Sequence, residues 1–274
     1  MQCKICNSST QVITHKHILN KYDVNYHQCS TCGFIQTDSP FWLPEAYNSA
    51  ITALDIGLIN RNIYFQDKIP LLIDTFFPDA AIMVDYGGGY GMFVRMMRDK
   101  GFNFYRQDNY CKNLFADHFD LSDAPAKKFD LLTAFEVFEH LDNPLVEIDK
   151  MFALSDSLVF STVLSPSTVQ EFENWWYVSP LIGQHIAFYN KTTLEFIAKK
   201  FNKKLFSNGT NLHVFTEKQI DPSVVTAFFS DPKQSLIERI VKRLFPTKTV
   251  LKNRTSLLQK DYEVIEKRLK SENS

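Results

Sequence analysis

Four of the nine glycines in this 274-residue chain fall within five positions: Gly87, Gly88, Gly89 and Gly91. They follow a short apolar run at 81–86 and open a segment at 91–100 whose apolar residues, at 92, 93, 96 and 97, keep a helical period. A strand that empties into glycine and resumes as a helix constrains the fold more than any other feature of the chain. Glycine tolerates positive φ and lets backbone approach a ligand closely. The free N–H groups of the helix start behind it can receive that ligand. The alternation continues on both sides. Strands are expected at 103–107, 129–135 and 157–163, and helices at 50–77 (with Pro70 as a kink), 143–154 and 191–201. Leu205 with 211–216 reads as a closing antiparallel hairpin. Strands alternating with helices predict an α/β fold, a doubly wound, mostly parallel sheet covered on both faces.

The second strong pattern lies at the N-terminus. Cys3-x-x-Cys6 and Cys29-x-x-Cys32 hold four of the five cysteines. Two such pairs on tight knuckles bring four thiolates into a tetrahedral array that suits zinc. Gly33 allows the turn that aims backbone N–H groups at sulfur. Four cysteines leave no open coordination position, so the zinc is expected to be structural. The alternative is a set of reduced, unliganded thiols. Redox use of one pair is disfavoured, because neither pair starts a helix inside a βαβ unit. His15, His17 and His27 lie between the pairs and could add ligands, but read more plainly as surface or substrate-facing residues. The expected organisation is a zinc-binding knuckle at 1–40, a central α/β domain at 41–220 and a helical extension at 221–274.

Composition excludes several classes. Lys and Arg number 30 against 31 Asp and Glu, a net charge of -1, which is not the balance of a protein that coats nucleic acid. Apolar residues make up 45% of the chain, which rules out a disordered polymer. No apolar run approaches the roughly 18 residues of a membrane span, and residues 1–6 hold no signal core. A cytoplasmic location is the expectation.

The acidic-x-Gly-x-Gly-x-Gly run of Asp85, Gly87, Gly89 and Gly91 resembles motif I of the class I S-adenosylmethionine-dependent methyltransferases, a Rossmann-like fold. The resemblance covers about residues 50–217. It implies that these glycines lie under the methionine part of S-adenosylmethionine and that Asp85 helps hold its amino group. It also places Asp108, at the end of the second strand, on the ribose hydroxyls, by the physics of the dinucleotide folds. Residues 129–136 look like the family's fourth strand, and Glu136 joins the cofactor-binding set. The stretch 109–128 is short for a full helix, strand and loop. Asp117, Phe119 and Asp120 are the only candidates there for adenine contacts. A four-cysteine knuckle before such a domain resembles the methyltransferases of bacterial deoxysugar and surface-polysaccharide pathways.

Methyl transfer to oxygen or carbon requires an aligned acceptor and removal of its proton. A histidine is the natural base. Glu136, Glu139 and His140 form a Glu-x-x-Glu-His set that resembles the ubiquinone-pathway O-methyltransferases, where such residues are implicated in divalent-metal binding. Packing of His140 on the cofactor is the plainer reading. Residues 183–189 resemble the Tyr-His-Glu-His-Leu-x-Tyr-Phe segment of the sugar C-methyltransferases, and His185 falls on its catalytic-base position. Ile182 and Gln184 depart from that segment, so oxygen methylation is at least as well supported. His185 is expected to take the proton, with His140, Glu136 and Glu139 orienting the acceptor or an ion. Of Trp175 and Trp176, one is expected in the core and one at the acceptor pocket. Cys111 reads as a buried small hydrophobe.

In the extension, Leu258, Tyr262, Ile265 and Leu269 follow a 4-3-4 spacing, a short seam for the enzyme body or for a second copy in a homodimer. Residues 239–254 hold six basic and no acidic side chains, which suits a solvated face or an anionic partner. The leading expectation is an enzyme that methylates a small acceptor, a sugar or glycan. The competing one is an interaction module, or a methyltransferase of RNA or protein, that uses the zinc ribbon to read nucleic acid or protein. Residues 1–40 contain Lys4, Lys16 and Lys21 and no Arg, so they are poorly equipped to grip phosphates.

Overall fold

The structure, a computed structural model, describes residues 1–48, 52–229 and 252–272. Two sheets organise it. The first is antiparallel, in the order β1–β2–β3–β8, built from β1 (Thr10–Ile18), β2 (Tyr22–Cys29), β3 (Ile35–Thr37) and β8 (Ala187–Phe188). The second has six strands: β5 (Phe104–Gln107), β4 (Met83–Tyr86), β6 (Leu131–Phe135), β7 (Ser157–Ser161), β10 (Leu212–Thr216) and β9 (Lys204–Ser207), in that order. Strands β5, β4, β6 and β7 run parallel, while β10 pairs antiparallel with both β7 and β9. The predicted parallel sheet and closing hairpin are both present. The central strands are buried at every position except Phe135 at the end of β6, as expected for a parallel sheet covered on both faces.

Helices α1 (Leu43–Ala46), α2 (Leu58–Phe76), α3 (Met92–Asp99), α4 (Pro144–Leu154), α5 (Val169–Glu173), α6 (Lys191–Lys200), α7 (Pro222–Phe229) and α8 (Leu258–Glu272) complete the described chain. The helix expected from residue 50 begins only at Leu58. Leu54 and Ile56 lie exposed ahead of it, so their apolar spacing does not mark a buried helix face. Pro70 sits inside α2. It cannot donate to the Gln66 carbonyl one turn earlier, and Lys100 Nζ bonds that oxygen instead, at 2.9 Å.

Two departures shape the site. No strand or α-helix lies between β5 and β6. The chain there makes one parallel bridge, Arg106 to Asp120, and a 3-10 turn at Leu121–Asp123. The shortness of 109–128 is thus a real loss of an edge strand. The N-terminal segment also does not stand apart: β3 pairs with β8, so strands from residues 35–37 and 187–188 share one sheet. Trp42 Nε1 donates to Gly183 O at 2.8 Å, and Gln184 Nε2 donates to Ala46 O at 2.8 Å.

The C-terminal helix docks through polar residues. Asp261, 2% exposed, pairs with Arg98 at 2.7 Å and with Arg95 at 2.9 Å. Ile265 packs on the core, while Leu258, Tyr262 and Leu269 of the expected seam face outward. Removing one partner of a buried pair strands the other charge, which costs about 3–5 kcal/mol. Asp261→Ala should therefore lower the thermal midpoint by several degrees and expose α8 to proteolysis; an unchanged melt would mean that this pair does not hold the helix. Most of the basic stretch 239–254 lies outside the described residues. Of its described part, Arg254 pairs with Asp74 at 2.6 Å.

Candidate active site and four-cysteine centre

The glycine loop leaves the end of β4, and Gly87 N and Gly88 N both donate to Gln107 O, which ties the loop to β5. Gly87, Gly89 and Gly91 all have positive φ, but they serve different ends. A Cβ on Gly87 would strike Val137 at 2.6 Å, and one on Gly91 would strike Asn113 at 2.5 Å. Those two let neighbouring segments close in. A Cβ on Gly89 would meet no heavy atom within 4 Å. Gly89 borders a crevice of about 590 Å³, measured out to open solvent, so its side-chain position opens on that space. Asp85, Gly87, Phe135 and Glu136 also line that crevice, as do Leu58, Arg61, Asn62 and Phe65 along one face of α2.

Asp85 is buried and accepts from Thr133 Oγ1 at 2.6 Å. Burial pushes its carboxyl up to about 7, against the pull of that bond, and Asp108 pushes the same way. Asp108 itself does not line the crevice. Its Oδ2 accepts from Gly89 N at 2.9 Å and its Oδ1 from Tyr110 N and Cys111 N, each at 2.7 Å. It therefore fastens the loop after β5 to the glycine turn. The adenine candidates are also absent from the crevice lining. Phe119 is buried under the Arg98 guanidinium at 3.7 Å, Asp120 pairs with Arg106 at 2.9 Å, and Asp117 is exposed. Cys111 is half-buried, and its carbonyl accepts from Arg106.

Beyond the crevice lies a second constellation. The backbone of Glu136 is left-handed, φ 53°, a conformation that non-glycine residues hold only where surroundings enforce it. Ser161 enforces it here: its Oγ accepts from Glu136 N at 2.8 Å and donates to Glu136 Oε1 at 2.6 Å. The 3-10 turn at Phe138–His140 follows. Glu139 is 0% exposed. Tyr177 and Thr162 face it and favour its charged form, yet both carboxylate oxygens lack a hydrogen-bond partner. Burial raises Glu136 and Glu139 alike, each to about 7.

His140 and His185 come together from two loops, with ring centroids 4.9 Å apart. His140 Nδ1 lies 3.1 Å from Gln184 O and 3.0 Å from the Tyr47 hydroxyl; His185 Nδ1 lies 2.5 Å from Tyr177 O. A carbonyl only accepts, so both Nδ1 atoms carry the proton and both Nε2 atoms keep a free lone pair. Burial drives His140 down to about 3, helped by His185, and lowers His185 as well. Both imidazoles are thus neutral near pH 7. Trp175 packs on Phe172 and Phe188, whereas Trp176 is 74% exposed beside Tyr177.

Sequence reasoning missed Arg61 and Tyr47. Arg61 reaches the crevice wall with its guanidinium clamped by both oxygens of Asp55, at 2.7 and 2.8 Å. Its signal was present: 58, 61, 62 and 65 share a helical face, and a cation inside such a face is unusual. Tyr47, stacked on Tyr110 with centroids 5.3 Å apart, lay in a stretch without periodicity.

At the N-terminus, the Sγ atoms of Cys3, Cys6, Cys29 and Cys32 all lie within 4.8 Å of one another. The Cys3–Cys32 and Cys6–Cys29 separations are 3.6 and 3.3 Å, near the roughly 3.7 Å between ligands of one tetrahedral Zn–S4 centre. Ile5 N, Thr31 N and Cys32 N point at sulfur. Cys3 is held low by the Cys32 thiol, and Cys32 is driven up in return. No histidine joins this group among the described residues. His17 pairs with Asp23 on the surface, and His27 is buried against Asp38 at 2.7 Å.

A parallel sheet closed by an antiparallel strand, with a glycine turn opening on a crevice at its strand ends, defines a class I methyltransferase fold. A family model described as a methyltransferase domain matches residues 60–207, and the chain belongs to that family. Several solved structures are distantly similar. One is a mitomycin 7-O-methyltransferase, with 13% identity over 64% of this chain and 60% of that one, and a TM-score of 0.40. Another is an O-methyltransferase family 2 protein from Planctomyces limnophilus in complex with apigenin, with 14% identity over 64% and 65%, and a TM-score of 0.43. A third is the magnesium protoporphyrin IX methyltransferase from Synechocystis with bound S-adenosylhomocysteine, with 12% identity over 64% and 92%, and a TM-score of 0.38. The chain spans less than two thirds of the first two structures' length. No curated protein matches it.

Proposed function

We propose that the chain transfers the methyl group of S-adenosylmethionine to a small-molecule acceptor, a hydroxyl or carbon of a sugar or nucleotide-linked sugar. The observation that carries this reading is the Gly89 cradle, whose missing side chain opens ligand space beside Asp85. When bound, S-adenosylmethionine supplies an electrophilic methyl group on a sulfonium. Asp85 and Glu136 offer carboxyl groups to its methionine part, and Arg61 a guanidinium. Asp108 holds the glycine turn in shape and presents its remaining lone pairs at the end of β5. The acceptor lies on the far side of Glu136, against His140, His185 and Tyr47, with Trp176 as an exposed aromatic face for an acceptor ring. For a hydroxyl acceptor, the O–H proton is lost at this imidazole cluster while the oxygen forms the new C–O bond and the S–C bond breaks. The test is calorimetry with S-adenosylhomocysteine, followed by a nucleotide-sugar panel read by mass; a protein that binds no S-adenosylhomocysteine overturns the reading.

The four cysteines are proposed to hold one structural zinc. Thr193 Oγ1 donates to Cys32 O at 2.8 Å, and Asn190 Nδ2 donates to Gly33 O at 3.3 Å, so the centre rests on the start of α6, just after the His185 segment. Cys29→Ser should release the metal, because ligation and folding are coupled. Elemental analysis should fall from about one zinc per chain, and amide exchange should rise in β3 and β8 together. A metal-free wild type with those strands protected would reject the assignment.

A further inference from the structure

We infer that the chain carries a second small-molecule site, between α8 and the loop that joins β5 to β6, and that this site takes an organic anion with a planar apolar body. It goes beyond the methyl-transfer reading and does not rest on it. The hollow there measures about 770 Å³ out to open solvent, against about 590 Å³ for the glycine crevice measured in the same way. Among the described residues, the two share no lining residue.

The hollow follows from the missing edge strand. Beyond β5 the chain offers only the single bridge from Arg106 to Asp120 and a 3-10 turn. Helix α8 crosses the gap, but it docks through Asp261 on Arg95 and Arg98. Leu257 and Val264, one turn before and after Asp261, are left half-buried in the wall. Tyr105 and Phe119 add aromatic surface, and the Arg98 guanidinium lies 3.7 Å over the Phe119 ring. Apolar walls around a space of this size favour a ligand body that displaces the water from them.

The charge on these walls selects an anion. Arg98, Lys260 and Arg268 line the hollow together with two carboxylates, Asp123 and Asp261. Both carboxylates are already engaged, Asp261 by Arg95 and Arg98, and Asp123 by Arg268 at 2.6 Å. The side chains of Lys260 and His118 have no hydrogen-bond or ion-pair partner among the described residues. Tyr105 supplies an independent sign. It is only 8% exposed, lines the hollow, and its hydroxyl has no hydrogen-bond partner among the described residues. The uncommitted groups are thus an ammonium, an imidazole and a phenol, each able to donate a hydrogen bond to an oxyanion. No uncommitted carboxylate lines the hollow to hold a cation.

The test titrates the full-length protein with naphthoate, a planar aromatic carboxylate, and with the uncharged naphthalenemethanol, each with and without saturating S-adenosylhomocysteine, and follows binding by ligand-observed NMR. A dissociation constant at or below about 1 mM is expected for the anion, the range for a ligand of this size, with weaker binding of the alcohol. Lys260→Glu should weaken naphthoate by about three- to tenfold, and Val264→Trp, which fills the hollow, should abolish its binding. Should Val264→Trp fail to fold, the exposed Lys260 still gives a readout. No binding by the wild type, equal binding by the folded variants, equal affinity for the alcohol, or displacement of naphthoate by S-adenosylhomocysteine each overturns the proposal. The variants localise the anion whether or not S-adenosylhomocysteine binds, so a failure of the methyl-transfer reading is seen separately.

Discussion

Gly89→Leu is expected to abolish S-adenosylhomocysteine binding in a protein that still folds. A Cβ added there meets no protein atom within 4 Å, and Gly89 lines the crevice, so the steric penalty is expected to fall on the ligand. The backbone there is left-handed, φ 55°, and a non-glycine residue pays about 1–2 kcal/mol for it, which most domains survive. Gly91→Ala makes the opposite case. Its Cβ runs into Asn113 and Ala116, so it should depress the thermal midpoint first and affinity only through unfolding. Asp108→Ala should weaken binding less sharply, since it acts through the Gly89 N–H that it fixes. Calorimetry and a melt on the same three variants separate these outcomes. Wild-type affinity in Gly89→Leu would mean that the crevice is not the cofactor site.

His185→Ala is expected to lower turnover by about 10²–10⁴-fold, the range for losing a group that assists proton removal, while S-adenosylhomocysteine affinity stays near wild type. The split follows from position: Gly89 and Asp85 border the crevice, and His185 sits beyond Glu136 against His140. The rate is to be measured with whichever nucleotide sugar of the panel the wild type methylates. If His140→Ala gives the deep loss and His185→Ala is nearly silent, the two imidazoles exchange roles. If neither matters, the acceptor ionises without help and the sugar reading falls.

The residues that could be read in advance share one property: their meaning is local. A strand, a glycine turn and a helix within 20 residues specify their own geometry through φ preferences and period. Two Cys-x-x-Cys knuckles specify their own turns. The sequence therefore carried the parallel sheet, the closing hairpin, the glycine crevice and the clustering of Cys3, Cys6, Cys29 and Cys32. Even the loss of an edge strand was legible, as too few residues between 109 and 128.

What tertiary structure alone decided involves residues far apart in the chain. Glu136, Glu139 and His140 are neighbours in sequence, but a strained turn at Glu136 sends it to the crevice and its companions the other way. His185 reaches His140 because β8 joins the N-terminal sheet and Trp42 and Ala46 grip residues 183–184. Asp108 could be placed at a strand end, but its fastening to the glycine turn could not, since the three N–H groups that hold it come from two loops. The seam of α8 shows the same limit. Periodicity identified a helix with apolar residues in register, yet a buried ion pair at Asp261 determined which face docks. Local chemistry sets what each segment can be; which segments meet depends on the burial of the whole chain, and no window of sequence contains that sum.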